Sequence, residues 1–256
     1  MSETWFITQT TRPQAPVQLF CLPHAGAGAS AYALWPREFG ADVEVHAYIP
    51  PGRERRFAEE AEVDPAAVAA AVAERTDRPF ALFGHSLGAR LAFEVVRELR
   101  RNGRLLPLRL FVSGCTPPDD GRTDDVYDGL SALDDEAMLE RLVATGNIPE
   151  EVLDEPGLVE MLLPSFRADF TWLDTYVYHD EPPLPIPVSA FAGDADESAP
   201  PQRMAGWRRH TTSDFALHAF SGAHFFLVDR LAEVVARMGA DLAAPSSVLT
   251  AEPERC

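Results

Sequence analysis

Apolar residues along the chain fall into two alternating kinds of segment. The short runs Val17–Leu22, Val43–Ile49, Phe80–Phe83, Leu108–Ser113, Val188–Ala192 and Phe215–Phe220 are apolar on both faces and flanked by Gly, Pro or Asp. Their length and lack of strict alternation suit strands of a parallel sheet covered on both sides. Between them, apolar positions recur at helical spacing in Ala66–Arg75, Leu87–Arg101 and Leu231–Leu242. In Leu87–Arg101, Leu91, Val95 and Leu99 fall four apart, Glu94, Arg97 and Arg100 are expected on the surface, and Gly103 is placed to stop the helix. Strand and helix in this order predict an α/β fold with a mostly parallel sheet flanked by helices.

One stretch breaks the alternation. From Pro117 to Pro185 there is no strong strand pattern; Asp134–Thr145 and Pro156–Leu163 read as short helices and Ser165–Tyr178 as a longer aromatic one. Lying between two core strands, this segment is expected to be an inserted helical subdomain. No repeat of 20 to 50 residues occurs along the 256-residue chain. A single domain over residues 1–245 with an insertion at about 117–185 is therefore expected, followed by a polar, disordered tail at 246–256.

Composition narrows the function classes. Hydrophobic residues make up 46% and charged residues 24%, which excludes collagen-like, coiled-coil and largely disordered chains. The 40 acids against 22 bases, all of them arginine, give a net charge of −18. Such a chain repels nucleic acid and anionic membrane unless it carries a local basic patch. Cys21, Cys115 and Cys256 are too few and too scattered for a disulfide framework or a zinc site. No apolar run reaches the roughly 18 residues a membrane span needs. Met1–Thr11 lacks the pattern of a signal peptide. A cytoplasmic protein is the expectation.

The chemistry concentrates at Gly84-His-Ser86-Leu-Gly88, between a predicted strand and the best predicted helix. A serine on a sharp strand-to-helix turn projects its hydroxyl above the sheet, and glycines two residues to either side remove side chains that would clash there. The Leu87 N–H, at the helix start, is aimed at developing negative charge. A serine hydroxyl needs a base. Among seven histidines, His224 follows the last predicted strand, in a loop at the carboxyl edge of the sheet beside the turn. The acid of an α/β hydrolase lies between serine and histidine, after a strand. Asp194, Asp196 and Glu197 qualify; Asp196, deeper in the loop, is preferred over Asp194, with Glu197 third. A second oxyanion donor is expected from Cys21-Leu-Pro-His-Ala25-Gly26-Ala-Gly28, after the first core strand, where small residues allow close backbone approach.

These stretches resemble the type II thioesterases, free-standing editing hydrolases of modular polyketide synthases and nonribosomal peptide synthetases. The resemblance rests on Leu22-Pro-His-Ala-Gly26, Pro51-Gly-Arg-Glu-Arg55, Leu82-Phe-Gly-His-Ser-Leu-Gly88, Leu163-Pro-Ser-Phe-Arg-Ala-Asp-Phe170, Gly193-Asp-Ala-Asp196 and Gly222-Ala-His-Phe-Phe-Leu227, in the family's order across about Val17 to Leu242. The start at Met1, close before the first core strand, is expected of a free-standing member rather than a domain cut from a synthase. The sequence departs from the family in Gly-Ala-Gly at 26–28, Leu87 and Ser-Gly-Ala-His at 221–224, none of which removes a catalytic atom.

The resemblance implies an α/β-hydrolase fold with a helical lid. It makes Ser86 the nucleophile, Asp196 the acid, His224 the base, and the Ala25 and Leu87 N–H groups the oxyanion hole. It implies no metal or redox cofactor, the acyl group being carried on the phosphopantetheine of an acyl or peptidyl carrier protein. Phe166, Phe170, Trp172 and Tyr176 either line the acyl chamber or pack the lid onto the core. Arg53, Arg55 and Arg56 either meet the carrier arm's phosphate or form a solvated loop face. The charge of −18 argues against broad attraction to an acidic carrier. Competing expectations are a general carboxylesterase or lipase-like hydrolase, and a catalytically silent hydrolase-fold binding protein.

Overall fold

A computed structural model describes residues 5–121 and 126–244. The strands are β1 (Phe6–Thr8), β2 (Val17–Leu22), β3 (Val43–Tyr48), β4 (Phe80–His85), β5 (Leu110–Ser113), β6 (Val188–Gly193) and β7 (Phe215–Phe220). They form one seven-stranded sheet in the order β1-β3-β2-β4-β5-β6-β7. Only β1 runs antiparallel, against β3. At three residues, this edge strand is too short to leave a periodic signal, and the sequence reading missed it. The α/β expectation otherwise holds, strand for strand.

The helices are α1 (Trp35–Glu38), α2 (Pro65–Arg75), α3 (Leu87–Arg101), α4 (Asp135–Ala144), α5 (Pro156–Thr175), α6 (Pro201–Met204), α7 (Phe226–Asp229) and α8 (Leu231–Ala243). Local chemistry sets several ends. The Asp64 side chain accepts from the Ala66 and Ala67 N–H groups, with Pro65 in the first turn of α2, and Asp134 caps α4 through the Ala137 N–H.

Alternation along the strands divides the core. Phe20, Leu22, Leu82, Val112 and Ala190 point to the face covered by α2 and α3. Leu19, Cys21, Ala81, Phe83, Phe111 and Phe191 point to the face where Trp35 and α8 pack. Burial on both faces explains why the strands read as continuous apolar runs.

Two local expectations fail. Glu94 and Arg97 are buried, not surface residues: Arg97 pairs with Glu94 and Glu181, and the Tyr176 hydroxyl donates to Glu94. The charged face of α3 is thus covered by the segment before β6, which the helical period could not reveal. The helices expected at 156–163 and 165–178 are one helix, α5, running through Pro164 and ending at Thr175. A proline inside a helix costs about 3 kcal/mol. Here the turns beyond it are anchored by buried Phe166, Asp169 and Phe170, whose packing outweighs the local signal. The sequence 246–256, expected to be disordered, lies outside the described residues, as does Cys256.

The connection between β5 and β6 carries α4 and α5 and lies over the carboxyl edge of the sheet. Its Leu130, Met138, Leu142, Ile148, Phe166 and Phe170 form a third apolar cluster with Ala25 and Leu87.

Candidate active site

Ser86 follows directly on β4 and caps α3 at φ 55° and ψ −120°, a conformation L residues rarely adopt. The glycines around it have no substitute. A Cβ on Gly84 would lie 2.0 Å from the Gly88 carbonyl oxygen, and one on Gly88 would lie 2.1 Å from that of Leu22. The Ser86 N–H donates to the Ser113 carbonyl at 2.8 Å, fixing the turn to the end of β5.

His224 follows β7, and its Nδ1 meets Asp196 Oδ2 at 2.9 Å. Asp196, after β6, is only 3% exposed. Its other oxygen accepts from the Ser198 N–H, the Ser198 hydroxyl and the Ala199 N–H. Burial alone would raise the Asp196 pKa. The hydrogen bond and charge of His224, with the bonds from Ser198 and Ala199, outweigh burial and hold it below the usual carboxylate range. Asp194 is exposed and accepts from the Gly222 N–H, the bond of a turn-forming aspartate, while Glu197 is exposed. The loop therefore presents one carboxylate, Asp196, to His224.

Ser86 and His224 line the same small cavity, of about 40 Å³, with Ala25, Leu87, Tyr127, Phe170 and Leu173. Among the described residues no hydrogen bond joins the Ser86 hydroxyl to His224; such bonds often tighten only with substrate bound. The Ala25 and Leu87 N–H groups have no protein partner among the described residues. The neighbouring Gly26 N–H does: it donates to Asp169 Oδ2 on α5 at 2.7 Å. Arg53 pairs with the same Asp169 and donates to the carbonyls of Ala27 and Ser165. Gly26 has φ +77°, and a Cβ there would lie 2.1 Å from the Phe166 ring. The loop after β2 is thus held by α5 from two sides, by an ion pair and by an aromatic ring.

The aromatics separate into distinct roles. Phe170 lines the cavity; Phe166 packs on Gly26. Trp172 packs on the main core, on the cluster around Phe170 and against Tyr176, without lining the cavity. The arginines do not form a free basic face. Arg53 is buried in its pair with Asp169; Arg55 donates to the Phe6 carbonyl; Arg56 bonds Glu59 and the Ile49 carbonyl and stacks over Trp5.

Sequence reasoning missed five contributors. Ser198 orders Asp196 and lies 3.3 Å from His224 Nδ1. The Tyr127 ring packs 5.4 Å from that of His224, and the buried His85 ring 4.9 Å from it. His85 is fixed by a 3.0 Å bond between its Nδ1 and Ser113 Oγ. Burial first, then the charges of His224 and His24, hold its pKa well below the usual value. Asp169 and Arg90 complete the set. Two of them left a signal, Asp169 as part of Leu163-Pro-Ser-Phe-Arg-Ala-Asp169 and His85 as part of Leu82-Phe-Gly-His85-Ser-Leu-Gly88.

Residues 17–242 match the family model described as a thioesterase domain. The gramicidin S biosynthesis protein GrsT of Aneurinibacillus migulanus is 34% identical over 235 residues, 90% of this chain and 91% of that protein. Thioesterase PikA5 of Streptomyces venezuelae is 36% identical over 238 residues, 91% and 83% of the two chains. The solved structure of BorB, the type II thioesterase from the borrelidin biosynthetic cluster, superposes with a TM-score of 0.82 at 33% identity, covering 94% of this chain and 99% of that one.

Proposed function

The chain belongs to the thioesterase family, and we propose that it hydrolyses acyl or aminoacyl thioesters held on phosphopantetheinyl carrier proteins, as an editing enzyme of polyketide or nonribosomal peptide biosynthesis. The observation that carries this reading is the juxtaposition of a strained Ser86 with the Asp196–His224 pair at one cavity, in a chain similar along nearly its whole length to a type II thioesterase.

The geometry supports the following chemistry. With Asp196 accepting at Nδ1, the His224 tautomer leaves Nε2 free to take the Ser86 proton. The hydroxyl attacks the thioester carbonyl, and the Ala25 and Leu87 N–H groups stabilise the oxyanion. The bond to sulfur breaks and the carrier thiol leaves with the proton held by His224. Water, deprotonated by His224, then attacks the acyl-serine and releases the acid and free Ser86. A thiol needs less protonation to leave than an amine, so the acid step carries less of the barrier than in a protease. The β5–β6 connection acts as the lid, excluding water while Asp169 and Phe166 hold the loop that bears one oxyanion donor.

The test is a hydrolysis panel of the same acyl groups on a carrier protein, on coenzyme A and as simple esters. Faster turnover on the carrier supports the editing reading. Equal or faster ester cleavage makes the protein a general carboxylesterase, and no turnover of any kind makes it a silent hydrolase-fold binder.

A further inference from the structure

Besides Asp196, one other side chain comes within hydrogen-bond distance of the His224 ring among the described residues. This is Ser198, whose Oγ lies 3.3 Å from Nδ1. The same Oγ lies 2.8 Å from Asp196 Oδ1 and donates to it. Asp196 Oδ2 in turn meets Nδ1 at 2.9 Å. Asp196, Ser198 and His224 thus close a ring of three side-chain contacts, and all three residues are buried. Ser198 also lines the cavity that holds Ser86 and His224. It follows Asp196 by two residues, so the turn after β6 delivers both.

The turn itself does not need this hydroxyl. Asp196 Oδ1 accepts from the Ser198 N–H at 3.0 Å and the Ala199 N–H at 3.2 Å, the bonds by which an aspartate closes its own turn. Both are backbone bonds that other side chains at 198 can keep. What the hydroxyl adds is direction. A serine hydroxyl has one proton to give and two lone pairs to receive with. Its bond to the carboxylate is charge-assisted, and it is the shorter of its two contacts. Turned the other way, the hydroxyl would donate to Nδ1 and favour the tautomer whose proton sits on Nε2, where no base remains for Ser86. With the proton given to Asp196, the Ser198 lone pairs face Nδ1, and only an Nδ1–H satisfies them. The direction of one hydroxyl and the tautomer of the base are therefore coupled.

We propose that Ser198 is a positioning residue of this reaction: its hydroxyl holds one oxygen of Asp196, leaves the other for His224, and presents a second acceptor to the Nδ1 proton. The proposal rests on the roles given to Ser86, Asp196 and His224 in the reading above and adds a fourth side chain to them. When Ser86 gives its proton to Nε2, the ring becomes an imidazolium whose Nδ1–H is shared between Asp196 Oδ2 and Ser198 Oγ. Ser198 keeps its own proton throughout, on the bond to Asp196 Oδ1, and forms no bond to substrate.

The experiment uses Ser198→Thr and Ser198→Val, which share a shape and differ in one hydroxyl. Each is assayed on carrier protein loaded with acetyl or butyryl groups, and by the rate at which a fluorophosphonate labels Ser86. Ser198→Val should lower kcat and the labelling rate about tenfold, the worth of one hydrogen bond to a charged group, with KM unchanged and both acyl groups affected alike. Ser198→Thr should keep most of the wild-type rate. In an Asp196→Asn background, Ser198→Val should slow labelling by less than about twofold, because a residue that acts through the carboxylate has nothing left to act on. A full tenfold cost in that background overturns the proposal. So do equal losses in Ser198→Thr and Ser198→Val, which would be steric, and a raised KM at unchanged kcat, which would make Ser198 part of the substrate wall. If the branched side chains do not fold, Ser198→Ala takes their place, and its loss must likewise vanish beside Asp196→Asn. If carrier thioesters are cleaved at wild-type rates by Ser198→Val, this inference falls and the thioesterase reading stands. If the wild type cleaves no carrier thioester, yet labelling of Ser86 slows in Ser198→Val and not in Ser198→Thr, the thioesterase reading falls and the positioning role stands.

Discussion

On one side of the cavity, Ser86, Asp196 and His224 follow the carboxyl ends of β4, β6 and β7; on the other, Phe170 and Leu173 project from α5, in the connection between β5 and β6. The sheet side is fixed by backbone. Glycines at 84 and 88 admit main chain within contact distance, and the turn is bonded to β5. The helical side is fixed by side chains, through a shared apolar cluster and the Asp169 link to Gly26 and Arg53. If Ser86, Asp196 and His224 are the reacting groups, as proposed, a site set by sheet register under a cover set by packing separates rate from selectivity. Substitutions on the first side should move the rate for every substrate, and those deepest in the cover should move the choice among substrates. The loop after β2 is where the two sides meet.

The largest effect belongs to the sheet side. Ser86→Ala should lower hydrolysis by roughly four or more powers of ten on all acyl groups, with the thermal midpoint little changed. A serine-directed fluorophosphonate should label Ser86, as read by peptide mass spectrometry; labelling of another serine would remove the nucleophile from its role. Next comes the acid. Asp196→Asn should cost about 10⁴ in kcat by favouring the wrong tautomer of His224. Asp194→Asn should stay within a few-fold, roughly, because Asp194 serves a turn at the surface. Comparable losses in the two variants would mean that the loop, and not one carboxylate, is what His224 needs.

The same division explains what the sequence could and could not tell. The strained turn at Ser86 was legible because its backbone demand leaves a local Gly-x-Ser-x-Gly pattern. The meeting of His224 with Asp196 was legible because parallel strands of known order carry their loops to one edge. The single helix α5 was not, because Pro164 is a strong local stop and the packing of Phe166 and Phe170 that overrides it is with residues far away in the chain. The buried Glu94 and Arg97 were hidden for the same reason, since a period of 3.6 shows which residues share a face and not what later covers it. Arg53, Arg55 and Arg56 looked like a basic loop because charge in a sequence carries no sign of its partner.

Smaller effects test the join. Asp169→Ala frees the Gly26 N–H and removes the counter-charge of Arg53, and Phe166→Ala removes the ring that rests on Gly26. Both should lower kcat by about 10- to 100-fold with little change in KM, and equally for short and long acyl groups, because they loosen an oxyanion donor. Phe170→Ala acts on the cavity wall instead. It should raise kcat/KM for butyryl relative to acetyl by about tenfold, the worth of one or two methylenes in an apolar pocket. A change of acyl preference in Phe166→Ala would return that ring to the chamber and blur the separation.

The last comparison is in stability against pH. The chain has seven histidines, and none falls between 117 and 178, so the cover around α4 and α5 carries no histidine. The sheet side does. Burial, then the charges of His224 and Arg53, push His24 down to about 4. Burial, then chiefly the charge of Arg75, does the same to His46, which also ends at about 4. His85 is also held well below the usual value, mainly by burial. In each case the folded pKa lies below the unfolded value of 6.5. Unfolding therefore takes up protons between the two values, and stability falls as pH drops. It should be nearly flat from about pH 7 to about pH 8 and lose of order 1–2 kcal/mol per buried histidine by about pH 5. Asp196 adds to the loss only at lower pH, since its carboxyl is held below the usual range and its contribution disappears as pH falls through the folded value. Urea denaturation at a series of pH values measures the slope, and His46→Gln should flatten it whatever it does to stability at pH 7. Hydrogen exchange, corrected for intrinsic rates, separates the two sides. Global opening, seen in β4 and β5, should follow the acid loss, while local opening of α4 should not respond to pH. If α4 instead gains exchange in step with the strands, the cover has no opening of its own, and rate and selectivity are joined through one cooperative unit.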